Sequence, residues 1–270
     1  MMRVIGWKEL SGEEETPLLP VALTIGTFDS LHVGHQRLIR GVVDNGYDAL
    51  AAVCTFRQNP AGVLGSRPFT GNILSFPQKI EKLEALGITL VVLIDFSPEI
   101  SKLTGKSFFK LLASRLDVKK LVVGYNFHMG KGRDTNAQQL VGILTGSGTE
   151  LEIVPATMYR EQVVSSSRIR RLIQQGRFTE VKDMLIDDFR LDLREVAIHR
   201  RQDGCGVHRS DIDQVLPRTG EYQVRFITES FECAGNLTVG EEELTWQTES
   251  ATWQTESAGK LKEIRFLERE

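Results

Sequence analysis

From residue 21 to residue 155, apolar runs of strand length alternate with stretches whose apolar residues recur at helical spacing. VALTIGT (21–27), ALAAVCTF (49–56), ITLVVLIDF (88–96), VKKLVVG (118–124) and TELEIVP (149–155) read as strands apolar on both faces. HQRLIRGVVDNG (35–46), PQKIEKLEALG (77–87), TGKSFFKLLASRL (104–116) and DTNAQQLVGILTG (134–146) read as helices with one apolar stripe. In the first of these Leu38, Ile39, Val42 and Val43 share a face; in the second Ile80, Leu83 and Leu86 do. Strands buried on both faces and separated by helices imply an α/β fold with a parallel sheet covered on each side.

The pattern changes after about residue 187. LREVAIHR (193–200), GEYQVRFI (220–227), FECAGNLTV (231–239) and KEIRFLE (262–268) alternate at period two, with turn residues at Gly204, Gly206, Pro217, Gly220 and Gly240. They predict a smaller antiparallel sheet or barrel. The expected division is therefore residues 1–187 and 188–270. TWQTESA at 245–251 recurs at once at 252–258, too short a repeat for a solenoid and suited to lengthening a hairpin or loop.

Composition removes several classes of function. Thirty-three Lys and Arg against 36 Asp and Glu give a net charge of −3, which does not favour a nucleic-acid partner. Cys54, Cys205 and Cys233 form no CxxC, so neither a disulfide framework nor a zinc site is expected. The N-terminal residues show no apolar signal core, and LVVLID is far short of the ~20 residues a membrane span needs. The expectation is a soluble, cytoplasmic protein without a membrane partner, its oligomeric state left open.

The most informative segment is TIGTFDSLHVGHQ, 24–36. A strand runs into Gly26, and His32 and His35 bracket Gly34 where the next helix begins. A helix N-terminus presents unpaired N–H groups and positive potential, so phosphate binds there readily. Two imidazoles beside it can donate to phosphoryl oxygens, and Gly34 leaves the backbone approachable. By themselves the two histidines also fit chance, or a metal pair, although no third ligand follows at a familiar spacing. Later, Gly124 closes a strand, which puts Asn126 and Phe127 at the carboxyl edge, with Lys131 and Arg133 following; an ordinary polar loop with a core phenylalanine reads the same way. Ser165, Ser166 and Ser167 before RIRRLI suit helix capping, which leaves Arg170 unexplained.

GTFDSLHVGHQ resembles the GNFDGVHxGHQ signature of the prokaryotic bifunctional riboflavin kinase/FAD synthetases, and HxGH after a first strand is similar to the wider nucleotidyltransferase superfamily. CTFRQNP (54–60), KIEKLEALGITLVVLIDF, VVGYNFHMGKGR (122–133) and VVSSSRIRRLIQQG (163–176) follow in that family's order. The resemblance implies a Rossmann-like FMN adenylyltransferase domain: ATP and FMN give FAD and pyrophosphate, with Mg²⁺ mainly on the phosphates. It implies His32, His35 and Arg170 as catalytic; Gly26, Phe28, Asp29, Gly34, Ser165 and Ser166 at ATP; and Phe56, Asn126 and Phe127 at FMN. Asp29 is the candidate protein ligand of the metal. An adenylyl- or cytidylyltransferase for another phosphorylated acceptor, and a flavin-nucleotide-binding protein without turnover, are the alternatives.

The departures are specific. Ser30 replaces the glycine of the FDG motif, Arg57, Gln58 and Asn59 replace most of the TFxPxP interior, and Thr135 and Asn136 stand where a glycine and an acid are expected. In the C-terminal region LPRTGEYQVRF (216–226) resembles a kinase-module strand, but neither GRxxGFPTAN nor NIGxxPTF is present. The expectation is a degenerate kinase module without riboflavin phosphorylation.

Overall fold

The computed structural model describes residues 1–10, 18–64, 69–95, 97–201, 204–247 and 260–268. Packing divides the chain into two compact units, Met1–Pro68 with Lys79–Val163, and Phe69–Gln78 with Val164–Glu270. The division by packing thus differs from the division by motif over residues 164–187, and a short segment of the early chain, 69–78, packs with the later residues. The physical reason is aromatic: on helix Phe178–Leu185, Phe178 stacks at 4.6 Å on Phe266 and at 6.2 Å on Phe189.

The first unit is built on a six-stranded parallel sheet. Its strands are β1 (Arg3–Gly6), β2 (Leu19–Ile25), β3 (Leu50–Phe56), β4 (Leu90–Ile94), β5 (Leu116–Gly124) and the strand Glu150–Val154, in the order β1-β4-β3-β2-β5 and then Glu150–Val154. The five expected strands are all present. β1 is additional: four residues with Arg3 and Val4 exposed carry too little apolar pattern to be read in advance.

Val21, Leu23 and Ile25 of β2 join Phe108, Phe109 and Leu112 of helix Gly105–Ala113, and Ala137, Leu140 and Leu144 of helix Ala137–Leu144, in one apolar cluster. Because side chains alternate along a strand, Ala22 and Thr24 face the other way, and helix Val33–Val43 buries Leu38, Ile39 and Val42. The chain runs β2, β3, β4 outward on one side and β5, Glu150–Val154 on the other. The order therefore reverses between β2 and β5, where Thr24 pairs with Val122. Ligands of open α/β sheets sit outside the carboxyl ends of strands at such a reversal, which is where Gly26 and Gly124 stand.

The second unit holds a seven-stranded antiparallel sheet in the order Arg190–Asp192, Glu263–Phe266, Gly220–Ile227, Glu232–Val239, Glu243–Gln247, Gly204–His208, His199–Arg201. Tyr222, Val224, Phe226, Leu237, Val239, Leu244 and Trp246 fill its core. Two expectations are corrected. LREVAIHR is a turn that becomes strand only at His199, and Gly204 and Gly206 lie inside a strand. A Cβ on Gly204 would meet the Trp246 carbonyl oxygen at 2.1 Å, and one on Gly206 would meet His199 Nε2 at 2.7 Å. These glycines permit close approach between strands rather than a change of direction. All three cysteines are free. Most of the TWQTESA duplication, residues 248–258, lies outside the described residues, as do residues 65–68 of the loop after β3. No described helix is long and apolar enough to cross a membrane.

Candidate active site

β2 ends at Ile25, and the turn after it holds two bulky residues in the left-handed region: Phe28 at φ 46° and Leu31 at φ 47°. Each is 1% exposed. Such conformations cost on the order of 1–3 kcal/mol apiece and persist only where the surroundings over-determine them. Thr55 Oγ1 donates to the Thr27 carbonyl at 3.1 Å and helps fix the turn. Ser30 is not among the positive-φ residues, so serine there escapes the strain expected of a left-handed position.

The turn delivers His32 as the N-cap of helix Val33–Val43. Its Nδ1 accepts the His35 backbone N–H at 3.1 Å. The nitrogen that accepts carries no proton, so the neutral ring keeps its proton on Nε2. Burial pushes the His32 imidazole down to about 4. His35 is held well below its ordinary value by burial, with the charge of His32 acting in the same direction. The two rings stack, centroids 3.8 Å apart and planes 10° from parallel, and Phe28 meets His35 edge-on at 5.2 Å. The N–H groups of Val33 and Gly34, at the first turn, have no intrahelical acceptor. His35 Nδ1 and Thr24 Oγ1 are buried without a hydrogen-bond partner.

The two expected glycines serve these rings. A Cβ on Gly34 would lie 3.1 Å from His32 Cε1, and one on Gly26 would lie 3.1 Å from Phe28 Cε2. Within the turn, Asp29 is 5% exposed and acts electrostatically on Lys79, itself 8% exposed. Lys79 Nζ donates to the Phe56 carbonyl at 2.8 Å. Burial pushes the Lys79 ammonium down to about 8, with Asp29 pulling the other way. Among the described residues no three His, Cys, Asp or Glu side chains are grouped to hold a metal ion. One carboxylate already opposed by a cation makes a poor resident site for a divalent ion.

The residues assigned to FMN are less gathered. Phe127 N–H turns back onto the Gly124 carbonyl at 2.9 Å, leaving Asn126 exposed at the end of β5. Phe56 and Phe127 are half-buried and pack against the apolar cluster. Lys131 and Arg133 are exposed on a short turn, Arg133 bonding His128 Nδ1 at 3.0 Å.

In the second unit, Ser165 caps helix Ser166–Gln174, its Oγ accepting the Arg168 N–H at 3.3 Å. Arg170 Nε donates to the Gly71 carbonyl at 2.9 Å, and its guanidinium lies 5.3 Å from the centre of the Phe69 ring. Gly71, at φ 111°, has no room for a Cβ: one would fall 2.5 Å from Val215 N. Sequence reasoning missed Lys79 and the Phe69–Gly71 segment. Lys79 sits in an amphipathic pattern that reads as solvated, and its one signal is a cation in the first turn of helix Phe76–Ala85, where the helix dipole disfavours it.

Residues 15–168, more than half of the chain, match the family model described as FAD synthetase. Over 227 residues the chain is 26% identical to a bifunctional riboflavin kinase/FMN adenylyltransferase of Listeria monocytogenes, spanning 81% of this chain and 71% of that protein. A second Listeria monocytogenes protein, described as FAD synthetase, is 26% identical over 204 residues, 74% of this chain and 79% of its own. The bifunctional enzyme of Escherichia coli K12 is 24% identical over 219 residues, 79% and 70% of the two chains. Among solved structures, one titled as a macrolide-efflux protein from Streptococcus pneumoniae superposes with a TM-score of 0.80 at 21% identity, over 99% of this chain and 90% of that one. At that identity the likeness speaks for the fold alone.

Proposed function

Because the chain belongs to the FAD synthetase family, we propose that it transfers AMP from ATP to FMN, giving FAD and pyrophosphate. The observation that carries this reading is the stacked pair His32–His35 at a helix N-terminus, beside the strand-order reversal between β2 and β5. An FMN phosphate oxygen attacks the α-phosphorus of ATP in line. The P–O bond to the β-phosphate breaks as the new bond forms, and pyrophosphate leaves with the electron pair. The nucleophile is already an anion, so no general base is needed.

Catalysis then rests on position and on charge. His32, neutral and with its proton on Nε2, offers one aimed donor to the α-phosphoryl oxygens, and the free N–H groups of Val33 and Gly34 suit the same oxygens. Alignment can supply roughly 7–11 kcal/mol, and each pre-placed donor about 3–4 kcal/mol. His35 backs His32 by stacking. Gly26, Phe28, Asp29 and Gly34 shape the nucleotide side, while Ser165, Ser166 and Arg170 are assigned to the departing pyrophosphate. Phe56, Asn126 and Phe127 are assigned to the flavin. Mg²⁺ bound to the triphosphate would offset part of its charge.

The same reading expects no riboflavin kinase activity, because the chain has no counterpart of GRxxGFPTAN. A second acceptor class is favoured by one observation: the Phe56 and Phe127 rings are engaged with the apolar cluster, so the HxGH chemistry is better supported than the identity of the acceptor. Incubating the protein with FMN and ATP, and separately with riboflavin and ATP, followed by chromatography of the flavins, tests both expectations.

A further inference from the structure

Three backbone segments converge at the carboxyl ends of β2 and β3, and one side chain joins them. Lys79 Nζ, from helix Phe76–Ala85, donates to the carbonyl of Phe56, the last residue of β3. Its charge acts on Asp29, which lies between the left-handed residues Phe28 and Leu31 and three residues before His32. Both partners are buried, Asp29 at 5% and Lys79 at 8% exposed. A buried carboxylate is stabilised when a cation opposes it, and removing that cation raises the cost of its charge in a low-dielectric setting. The turn that presents His32 is itself strained and keeps its shape only through what surrounds it.

We propose that Lys79 is a positioning residue: by opposing Asp29 and holding the Phe56 carbonyl, it fixes the Phe28–Leu31 turn and thereby aims His32. The inference deepens the proposed phosphoryl chemistry and rests on that reading for its effect on rate, while its effect on the His32 ring is independent of any activity. Lys79 acts through Asp29 and the turn.

The test compares wild type with Lys79→Met, Lys79→Arg and Asp29→Asn. Two readouts are taken: FAD formation from FMN and ATP, and the ¹⁵N resonances of the His32 imidazole, assigned by their loss in His32→Asn. Lys79→Met is expected to lower kcat about 10–100-fold with KM for ATP changed less than about threefold, and to shift the His32 resonances. Lys79→Arg, which keeps the charge, is expected to recover most of the rate. Should Lys79→Met not fold, Asp29→Asn removes the same electrostatic interaction from the other side and must move the same resonances. Unmoved His32 resonances in a folded Lys79→Met or Asp29→Asn protein would overturn the inference. Failure of the wild type to make FAD, with the resonances still shifting, would instead overturn the function and leave the positioning role standing.

Discussion

The imidazole of His32 accepts the backbone N–H of His35 at 3.1 Å while the two rings lie stacked 3.8 Å apart. One hydrogen bond therefore does two things. It caps the helix, and it fixes the tautomer of His32 so that the remaining N–H is on Nε2. Burial keeps both rings neutral near pH 7, so His32 holds its remaining N–H without a standing charge.

His32→Ala removes the donor and the cap together. FAD formation should fall about 10²–10³-fold, the effect of losing one pre-aligned donor, and stability should fall by about 1 kcal/mol for the lost cap. His32→Asn separates the two, since asparagine is a good N-cap. Denaturant unfolding should show stability restored while turnover stays low.

Gly34→Ala tests the space beside that ring. The added methyl would meet His32 Cε1 at 3.1 Å and Nδ1 at 3.2 Å, closer than such contacts normally come, so the imidazole must shift. Helix propensity alone favours alanine by about 1 kcal/mol. Unfolding should show stability unchanged or slightly raised, with kcat reduced about tenfold or more, since small misplacements of reacting groups are costly.

Acid should destabilise the first unit through this pair. His32 titrates at about 4 when folded and near 6.5 when unfolded. The unfolded chain therefore binds more protons between those values, and stability falls as pH drops from about 6.5 to about 4. Full expression of the shift corresponds to roughly 3 kcal/mol. His32→Asn should flatten the acid limb of stability against pH, measured by unfolding at pH 4.5 and 7.

Gly71→Ala should destabilise the second unit by about 2–5 kcal/mol, because its φ is 111° and the methyl would strike backbone at 2.5 Å. The melting temperature reads this directly. Arg170, which donates to the Gly71 carbonyl, would lose that tie, so turnover by any protein that remains folded should also fall.

The parallel sheet was legible because its strands are apolar on both faces, and Gly220–Ile227 because its burial alternates residue by residue. The place of His32 and His35 at the start of helix Val33–Val43 was legible too, since it follows from local spacing, but the capping bond and the ring stacking were not. Long-range ties were not. Gln214, 4% exposed, donates to the Ile73 and Arg190 carbonyls at 2.9 Å, and Ser75 bonds Asp192 at 2.6 Å. These bonds hold residues 69–78 in the second unit, and nothing in the composition of that segment announces them. Lys79 was hidden for the same reason: its partners, Phe56 and Asp29, are 23 and 50 positions away in the chain.

The most direct measurement is chromatographic separation of the flavins after incubating the purified protein with FMN and MgATP, with pyrophosphate followed in parallel. FAD and pyrophosphate are expected in equal amounts, with riboflavin left unconverted in the companion reaction. FMN recovered intact, with pyrophosphate release no faster than without protein, would contradict it.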